Sequence, residues 1–187
     1  MPNSVRAIRL SIFAYLTLWP LLSYADNYSA RIRHADLIDN GDNFSIETQI
    51  DYQLSPTAKE ALHKGVPLTW NVLVELREVG RIWDSTIYSE KLPYRLQFHA
   101  LLNQYDVVTS SQESEMFQTL NAALSFMSNL QDVKPIDANL FQPGHRYKLA
   151  IKCQFDRESL PVPLRPSAYL NTQWYLSSDW YIWPIQN

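Results

Sequence analysis

Apolar and polar residues alternate with a period of two along several segments of the chain, as in a β-strand with one buried face. The clearest segment covers residues 44–54, where every second position is apolar or Thr48. The same alternation recurs in residues 68–76 and 146–155, and residues 29–39 and 105–109 are also extended in character. This pattern predicts a chain built mainly of β-strands.

Interruptions of the alternation predict where the first two strands bend and turn. The apolar positions change parity between Ile32 and Ala35, which predicts a β-bulge near His34. The pair Asn40-Gly41 then predicts a hairpin, because both residues tolerate positive φ at the central turn positions.

Glycine and proline mark the boundaries of later segments. Gly80 predicts a second hairpin, and residues 82–88 and 92–98 both have extended character. One long strand interrupted at Pro93 accounts for both segments, because proline cannot donate to a strand ladder. Residues 160–166, LPVPLRP, predict an extended proline-rich connector.

Two short segments have helical signals. Residues 56–65 begin with Pro56, follow a capping Ser55 and end at Gly65, which predicts a short helix. Residues 119–130 form an amphipathic helix with Thr119 as its N-cap. Its apolar positions recur at helical spacing: Leu120, Ala123, Leu124, Met127 and Leu130.

Together these elements predict a mainly β protein, in which an antiparallel β-sandwich of immunoglobulin-like type contains about seven strands and two short helices. No internal repeat or low-complexity linker divides the chain. We therefore predict one domain over residues 26–187.

The first 25 residues have the features of a secretory signal peptide. Arg6 and Arg9 precede the apolar residues 10–22, and a small residue, Ala25, lies at the predicted cleavage position. The apolar run is shorter than the roughly 20 residues that cross a bilayer as a helix. The sequence therefore predicts export to the periplasm as a soluble chain without a membrane segment after cleavage.

The charge of the chain argues against one class of partner. The formal net charge is −3, and removal of Arg6 and Arg9 with the leader would make it −5. Nucleic acids favour strongly basic proteins, so we expect no nucleic-acid partner.

Cys153 is the one cysteine of the sequence, so no internal disulfide can form. A reactive thiol and a cross-link between two chains are both conceivable for an exported protein. Cys153 lies on the apolar side of the alternating residues 146–155, however, and this position favours a buried and inert thiol.

Motifs of known chemistry are missing from the sequence. The four glycines are too scattered for a nucleophile elbow or a phosphate-binding loop, and the four histidines are isolated from one another. We interpret Asp36, Asp39 and Asp42 as solvent-facing polar residues near a hairpin turn and not as ligands of a calcium loop. The polar residues 110–115, including Glu113 and Glu115, are predicted to be a solvated loop. We therefore expect no enzymatic activity, no cofactor and no metal.

The aromatic C-terminal segment is the best candidate for a functional surface. As one extended strand over residues 174–183, it would place Tyr175, Asp179, Tyr181 and Trp183 on one face, with Ser177. Such a row could stack a sugar or a peptide, because rings supply flat apolar area and polar groups orient a ligand. Packing beneath a loop or the proline-rich connector explains the same residues, and the sequence favours this second interpretation.

Several blocks, including GVPLTW, LPYRLQFHALLNQYDV, LFQPGHRYKLAIK and WYLSSDWYIW, occur in an order that resembles the domain-of-unknown-function family 4390. The resemblance covers residues 30–183. It implies a secreted, periplasmic, single-domain protein of Gram-negative proteobacteria with no assigned activity or cofactor. It also implies a gene neighbour that encodes a membrane sensor kinase similar to the nitrogen-regulation type.

These observations lead to two functional expectations. The first is a non-catalytic protein that binds an envelope protein, such as a sensor kinase, through aromatic or sheet-edge surface. The second is a binder of a small ligand, such as a glycan or peptidoglycan fragment, through Tyr175, Tyr181 and Trp183. An enzyme with dispersed catalytic residues ranks last.

Overall fold

A computed structural model describes residues 28–130 and 133–185. The predicted signal peptide, residues 1–25, lies outside the described residues. The strands are β1 (Ala30–Asp39), β2 (Asn43–Tyr52), β3 (Leu68–Glu78), β4 (Ser85–His99), β5 (Gln104–Val108), β6 (Ser114–Phe117), β7 (Ile136–Asp137), β8 (Tyr147–Phe155) and β9 (Tyr181–Ile185). The α-helices are α1 (Pro56–His63), α2 (Leu120–Ser128) and α3 (Arg165–Leu170).

The described residues form two antiparallel sheets, which confirms the mainly β class. The smaller sheet has the strand order β1-β2-β7, and the larger sheet has the order β6-β5-β4-β3-β8-β9. Residues 28–130 and 133–185 contain nine strands where the sequence predicted about seven, and α3 is a third α-helix there where two were predicted. No helix of the described part of the chain has the length and apolar character needed to span a bilayer.

The core lies between the facing sides of the two sheets. A row of aromatic rings crosses it: Tyr52 contacts Trp70 with ring centroids 5.4 Å apart, Trp70 contacts Phe155 at 5.2 Å, and Phe155 stacks on Trp174 at 6.0 Å. Cys153 is fully buried in this core, as the alternation predicted. Large aromatic side chains therefore join the C-terminal segment to both sheets.

The predicted features of the first hairpin are confirmed. The pairing of β1 with β2 shifts register between Ile32 and His34, which places the bulge at Arg33. Gly41 adopts a φ of +90° in the turn, where its lack of a side chain removes the strain of this conformation. The turn is closed by a hydrogen bond of 2.9 Å from the Asn40 N–H to the Asn43 carbonyl.

Both predicted helices are present with their predicted caps. The Ser55 hydroxyl accepts a hydrogen bond of 3.0 Å from the Ala58 N–H at the start of α1. The Thr119 hydroxyl accepts one of 3.2 Å from the Ala122 N–H at the start of α2. These caps satisfy helix donors that have no partner within the helix.

The predicted interruption at Pro93 was wrong, because β4 continues through it and pairs Pro93 with Asn71 of β3. On its other side, β4 pairs with β5 only over Arg95 to His99, so no neighbouring strand needs a donor from Pro93 there. Ile82 lies outside β4, in the loop after Gly80.

Two further loop predictions were wrong in part or in full. Residues 110–113 form a loop, and Glu113 and Glu115 are exposed as predicted, but residues 114 and 115 belong to the edge strand β6, which pairs with β5. The proline-rich residues 160–166 are not extended: they contain a 3-10 turn, Val162–Leu164, and the start of α3. Pro166 occupies the first turn of α3, where a missing N–H has no cost.

Candidate functional site

The C-terminal segment is a strand only from Tyr181 onwards, so the predicted strand over residues 174–183 was wrong in its first part. Residues Thr172–Trp174 form a 3-10 turn that Asn171 caps, with its side chain accepting a hydrogen bond of 2.9 Å from the Gln173 N–H. Asparagine side chains stabilise such turns at the expense of extended structure.

Two serines then replace the strand pairing that the alternation predicted. The Ser178 hydroxyl accepts a hydrogen bond of 2.9 Å from the Cys153 N–H, and the Ser177 hydroxyl accepts one of 2.9 Å from the Phe155 N–H. The Ser178 N–H donates in turn to the Cys153 carbonyl at 2.7 Å. The main-chain N–H groups at this edge of β8 therefore have serine side chains as acceptors. The segment needs no strand pairing there and can bend away from the sheet.

The four candidate residues do not form one face. Tyr175 is 47% exposed and Asp179 is exposed, whereas Tyr181 and Trp183 pack against the core on the inner side of β9. The Trp183 ring also meets the His34 ring edge-on at 6.4 Å. Ile182, which points to the opposite side of β9, is 43% exposed. The irregular residues between Tyr175 and Tyr181 thus shift the alternation, so that Tyr181 and Trp183 lie on the opposite side from Tyr175.

A groove of about 360 Å³ runs between β1 and the C-terminal segment. Strand β1 is the edge of the smaller sheet, because β2 is its one strand neighbour in the described chain. At one end, the Ala30 N–H donates to the Leu176 carbonyl at 3.3 Å. The groove is lined by Ser29, Ala30, Arg31, Ile32, Ser177, Ser178, Asp179, Trp180 and Tyr181.

The groove has apolar and charged walls and a defined length. Ala30 and Ile32 are buried, while Arg31 and Asp179 are exposed and place opposite charges on its two sides. The bulge at Arg33 interrupts the regular pairing of β1 just beyond the groove, and the pairing resumes at His34. A short extended peptide therefore matches this groove better than a long strand does.

A second recess, of about 370 Å³, lies on the outer face of the larger sheet. Its floor includes Asn71 and Leu73, and its walls include Lys91, Arg157 and Tyr169. The Arg157 guanidinium lies 5.3 Å from the centre of the Tyr169 ring and 4.7 Å from that of Tyr175. This recess thus combines cations, the carboxylates of Asp156 and Glu158, and flat aromatic surface, and Tyr175 lies beside it.

Trp180 fixes the position of the segment between the groove and the recess. The Arg77 guanidinium lies 4.6 Å from the centre of the Trp180 ring, and the Lys152 ammonium lies 5.8 Å from it. Arg77 and Lys152 alternate with core residues along β3 and β8, so Trp180 covers the outer face of the sheet. Such cation–π contacts stabilise exposed positions by about 0.5–1 kcal/mol.

The groups that could perform covalent chemistry are dispersed. His34 contacts Trp183, His63 Nε2 lies 2.8 Å from the Tyr105 hydroxyl, His99 lies 3.5 Å from Asp106, and His145 lies 2.5 Å from Glu78. Within residues 28–130 and 133–185, no three His, Cys, Asp or Glu side chains are close enough to hold a metal ion.

The Cys153 thiol is held in its neutral form. Burial raises the pKa of Cys153 to about 12, and the neighbouring Tyr52 hydroxyl lowers it by a smaller amount. A thiol with such a pKa is a poor nucleophile at neutral pH.

Sequence reasoning found Asp179 and Tyr181 in the groove and Tyr175 beside the recess, but it missed the other side of each concavity. The groove needs β1, which is more than 140 residues away in the chain, and the recess needs Lys91 and Tyr169. One available signal was Arg157, whose position shortly after an alternating strand marks a charged residue at a sheet end.

These features define a class: a mainly β protein of two packed antiparallel sheets, with a groove at one sheet edge and a recess on one outer face. The model of the family described as domain of unknown function (DUF4390) matches residues 27–184. The chain belongs to this family. No curated protein and no solved structure shows a significant match to the chain.

Proposed function

We propose that the protein is a non-catalytic interaction module of the cell envelope that binds an extended segment of another envelope protein. The groove between β1 and residues 177–181 is the observation that carries this proposal. A sheet edge recognises an extended peptide through its main chain, and neighbouring side chains select the sequence.

The walls of the groove support a peptide as the occupant. Ala30 and Ile32 supply a small apolar floor, and Ser177 adds a polar side chain. The charges of Arg31 and Asp179 on opposite walls would orient a segment that carries charges of both signs. A groove of this volume accommodates a few residues, so the proposed complex is transient.

The periplasm is the proposed location, and the predicted leader in residues 1–25 supports it. The extracytoplasmic part of a membrane sensor kinase is the proposed partner, on the basis of the gene neighbourhood that the family resemblance implies. The burial and raised pKa of Cys153 support a non-catalytic role for its thiol.

Photo-crosslinking in intact cells tests this proposal. A photoreactive residue is placed at the half-buried Ser29 in the groove, and a matched one is placed at Leu101, which is fully exposed at the far end of β4. We expect one envelope protein to be captured from position 29 and not from position 101. Equal capture from both positions would contradict a specific groove partner.

Charge reversal adds a second criterion. The variants Arg31→Glu and Asp179→Lys should each reduce the captured fraction about tenfold, because each leaves a charge of the partner without its counterpart. Unchanged capture in both variants would show that the groove is not the binding site of the partner.

A second candidate function is the binding of a small ligand, such as a glycan or peptidoglycan fragment. The recess beside Tyr175 favours it, because Arg157 lies against the Tyr169 ring, and Lys91, Asp156 and Glu158 add charged groups of both signs that could orient a ligand. Titration with cell-wall fragments should change the tyrosine and tryptophan fluorescence of the protein but not that of the Arg157→Gln variant. A flat response across the fragments would count against this candidate.

A further inference from the structure

The loop between β3 and β4 presents two adjacent large apolar side chains to solvent. Ile82 is 79% exposed and Trp83 is 84% exposed, although aromatic side chains otherwise dominate the core of this protein. The two residues lie at the tip of a hairpin that extends beyond the sheet, because β3 ends at Glu78 and β4 begins at Ser85. We refer to Ile82 and Trp83 as the apolar tip.

The conformation of this loop is fixed by its own contacts. A Cβ atom on Gly80 would lie 1.9 Å from the Trp83 carbonyl oxygen, so the loop folds back on Gly80 so closely that only glycine fits. Lys148 of β8 forms an ion pair with the carboxylate of Asp84 at the end of the loop. The apolar tip is therefore held outward by a closed loop.

The charge next to the apolar tip is positive. The cationic side chains there are Arg81, Arg146 and Lys148, against the two carboxylates of Glu78 and Asp84. Asp84 is paired with Lys148, and the Glu78 carboxylate lies 2.5 Å from the His145 ring. Arg81 and Arg146 are both exposed, and within the described chain neither has a carboxylate within 4.0 Å. Two arginines thus remain beside the tip in a chain whose formal net charge is −3.

These two arginines share one recess. A concavity of about 500 Å³ is lined by Gly80, Arg81, Gly144, His145 and Arg146, together with Glu78 and Val79. A hydrogen bond of 2.8 Å from the Val79 N–H to the Arg146 carbonyl holds the two loops together. Guanidinium groups in this arrangement suit a phosphate group, whose oxygens accept paired hydrogen bonds.

We propose that the apolar tip and this recess form a docking site for an anionic lipid surface. Ile82 and Trp83 enter the interfacial layer, where tryptophan is favoured, and Arg81 and Arg146 bind the phosphate of a lipid headgroup. A lipid layer accepts a convex tip without a preformed pocket, which a protein partner would have to supply. Because only two apolar side chains enter the layer, the attachment is weak, reversible and sensitive to salt.

Vesicle binding by the full chain, as cells produce it, tests this proposal. The vesicles contain phosphatidylethanolamine either alone or with phosphatidylglycerol, and binding is measured by co-sedimentation and by intrinsic fluorescence. We expect binding to the phosphatidylglycerol vesicles, with a blue shift of the emission. The shift should be absent from the Trp83→Phe variant, which retains the other tryptophans.

Variants separate the two parts of the site. Arg81→Gln and Arg146→Gln should each weaken binding about fivefold, since one arginine near an anionic surface contributes about that factor. The double variant Ile82→Ser, Trp83→Ser should abolish detectable binding. The control is Leu101→Ser, which changes a fully exposed leucine at the opposite end of β4 and should bind as the unchanged protein does.

Three results would overturn the proposal. They are equal binding to both vesicle types, unchanged binding by the double tip variant, and capture of a protein at the tip by a chain that binds no vesicle. Inorganic phosphate is the probe for a free-anion site: protection of the recess by phosphate without vesicle binding would also contradict docking on lipid.

Discussion

The indole N–H of Trp70 donates a hydrogen bond of 3.0 Å to the main-chain carbonyl of Leu176. Trp70 lies in the middle of the larger sheet, and Leu176 lies in the irregular segment that bounds the proposed peptide groove. The same carbonyl accepts a hydrogen bond from the Ala30 N–H of β1. One buried carbonyl therefore connects both sheets and the C-terminal segment, and it fixes the width of the groove.

Replacement of Trp70 by Phe should destabilise the protein. The change keeps an aromatic ring in the core but removes the donor to Leu176, and a buried hydrogen bond lost in this way costs about 1–3 kcal/mol. The lost ring volume adds to this effect. Denaturant unfolding measures the free energy, with the exposed Trp83→Phe as a control that should change it by less than about 0.5 kcal/mol. Equal effects of the two changes would contradict the structural role of the Trp70 N–H.

Ser178→Ala should lower the free energy of unfolding by about 1–3 kcal/mol, because it leaves the Cys153 N–H without an acceptor in the core. The Ser178 hydroxyl also donates to the Asp179 carbonyl at 2.8 Å, so the change loosens one wall of the groove. Hydrogen exchange of the Cys153 amide, measured by NMR, reports this loss directly. An unchanged exchange rate would show that the serine hydroxyl is not the acceptor.

The candidate residues of the C-terminal segment should differ in how much they contribute to the stability of the protein. Trp183→Ala should destabilise the protein by about 2–4 kcal/mol, because its ring packs against the core and against His34. Tyr175→Ala should cost no more than about 1 kcal/mol, since the half-exposed ring contacts Arg157. Thermal unfolding of both variants decides this. A smaller effect for Trp183→Ala than for Tyr175→Ala would mean that the C-terminal strand packs differently.

Stability should fall as the pH rises above about 9. Burial raises the pKa of Cys153 from 9.0 to about 12, and it raises the pKa of Tyr52 well above its ordinary value. The unfolded chain loses these protons at a lower pH than the folded chain does. The free energy of unfolding therefore decreases as the pH rises. Each group contributes at most about 1.4 kcal/mol per pH unit, up to its folded-state pKa.

The double variant Tyr52→Phe, Cys153→Ala is the control for this pH dependence. Its free energy of unfolding should decrease less steeply between about pH 9 and pH 12 than that of the unchanged protein. Parallel curves for the two proteins would show that neither buried group drives the loss of stability at high pH.

The elements that the sequence predicted correctly depend on local signals. The bulge near His34 follows from a change of parity, and α1 and α2 follow from their capping residues Ser55 and Thr119. The burial of Cys153 follows from its place in an alternating strand. Each of these signals lies within a few residues of the feature that it predicts.

The elements that were missed depend on contacts between distant residues or on strands without an apolar face. In β6, residues 114–116 are exposed, so no alternation reveals the strand. The bend after Trp174 depends on the hydroxyls of Ser177 and Ser178, which accept hydrogen bonds from main-chain N–H groups at the edge of β8. Without that bend, Tyr181 and Trp183 were assigned to the wrong face, and the groove beside β1 could not be predicted.

Hydrogen exchange of the protein, alone and in complex with the envelope protein captured from position 29, is the most direct test of the groove as a peptide-binding site. The account predicts slower exchange at residues 29–32 and 177–181 in the complex, with no change at the loop of Ile82 and Trp83. Slower exchange confined to that loop or to the recess at Lys91 and Arg157, with the groove unchanged, would contradict it.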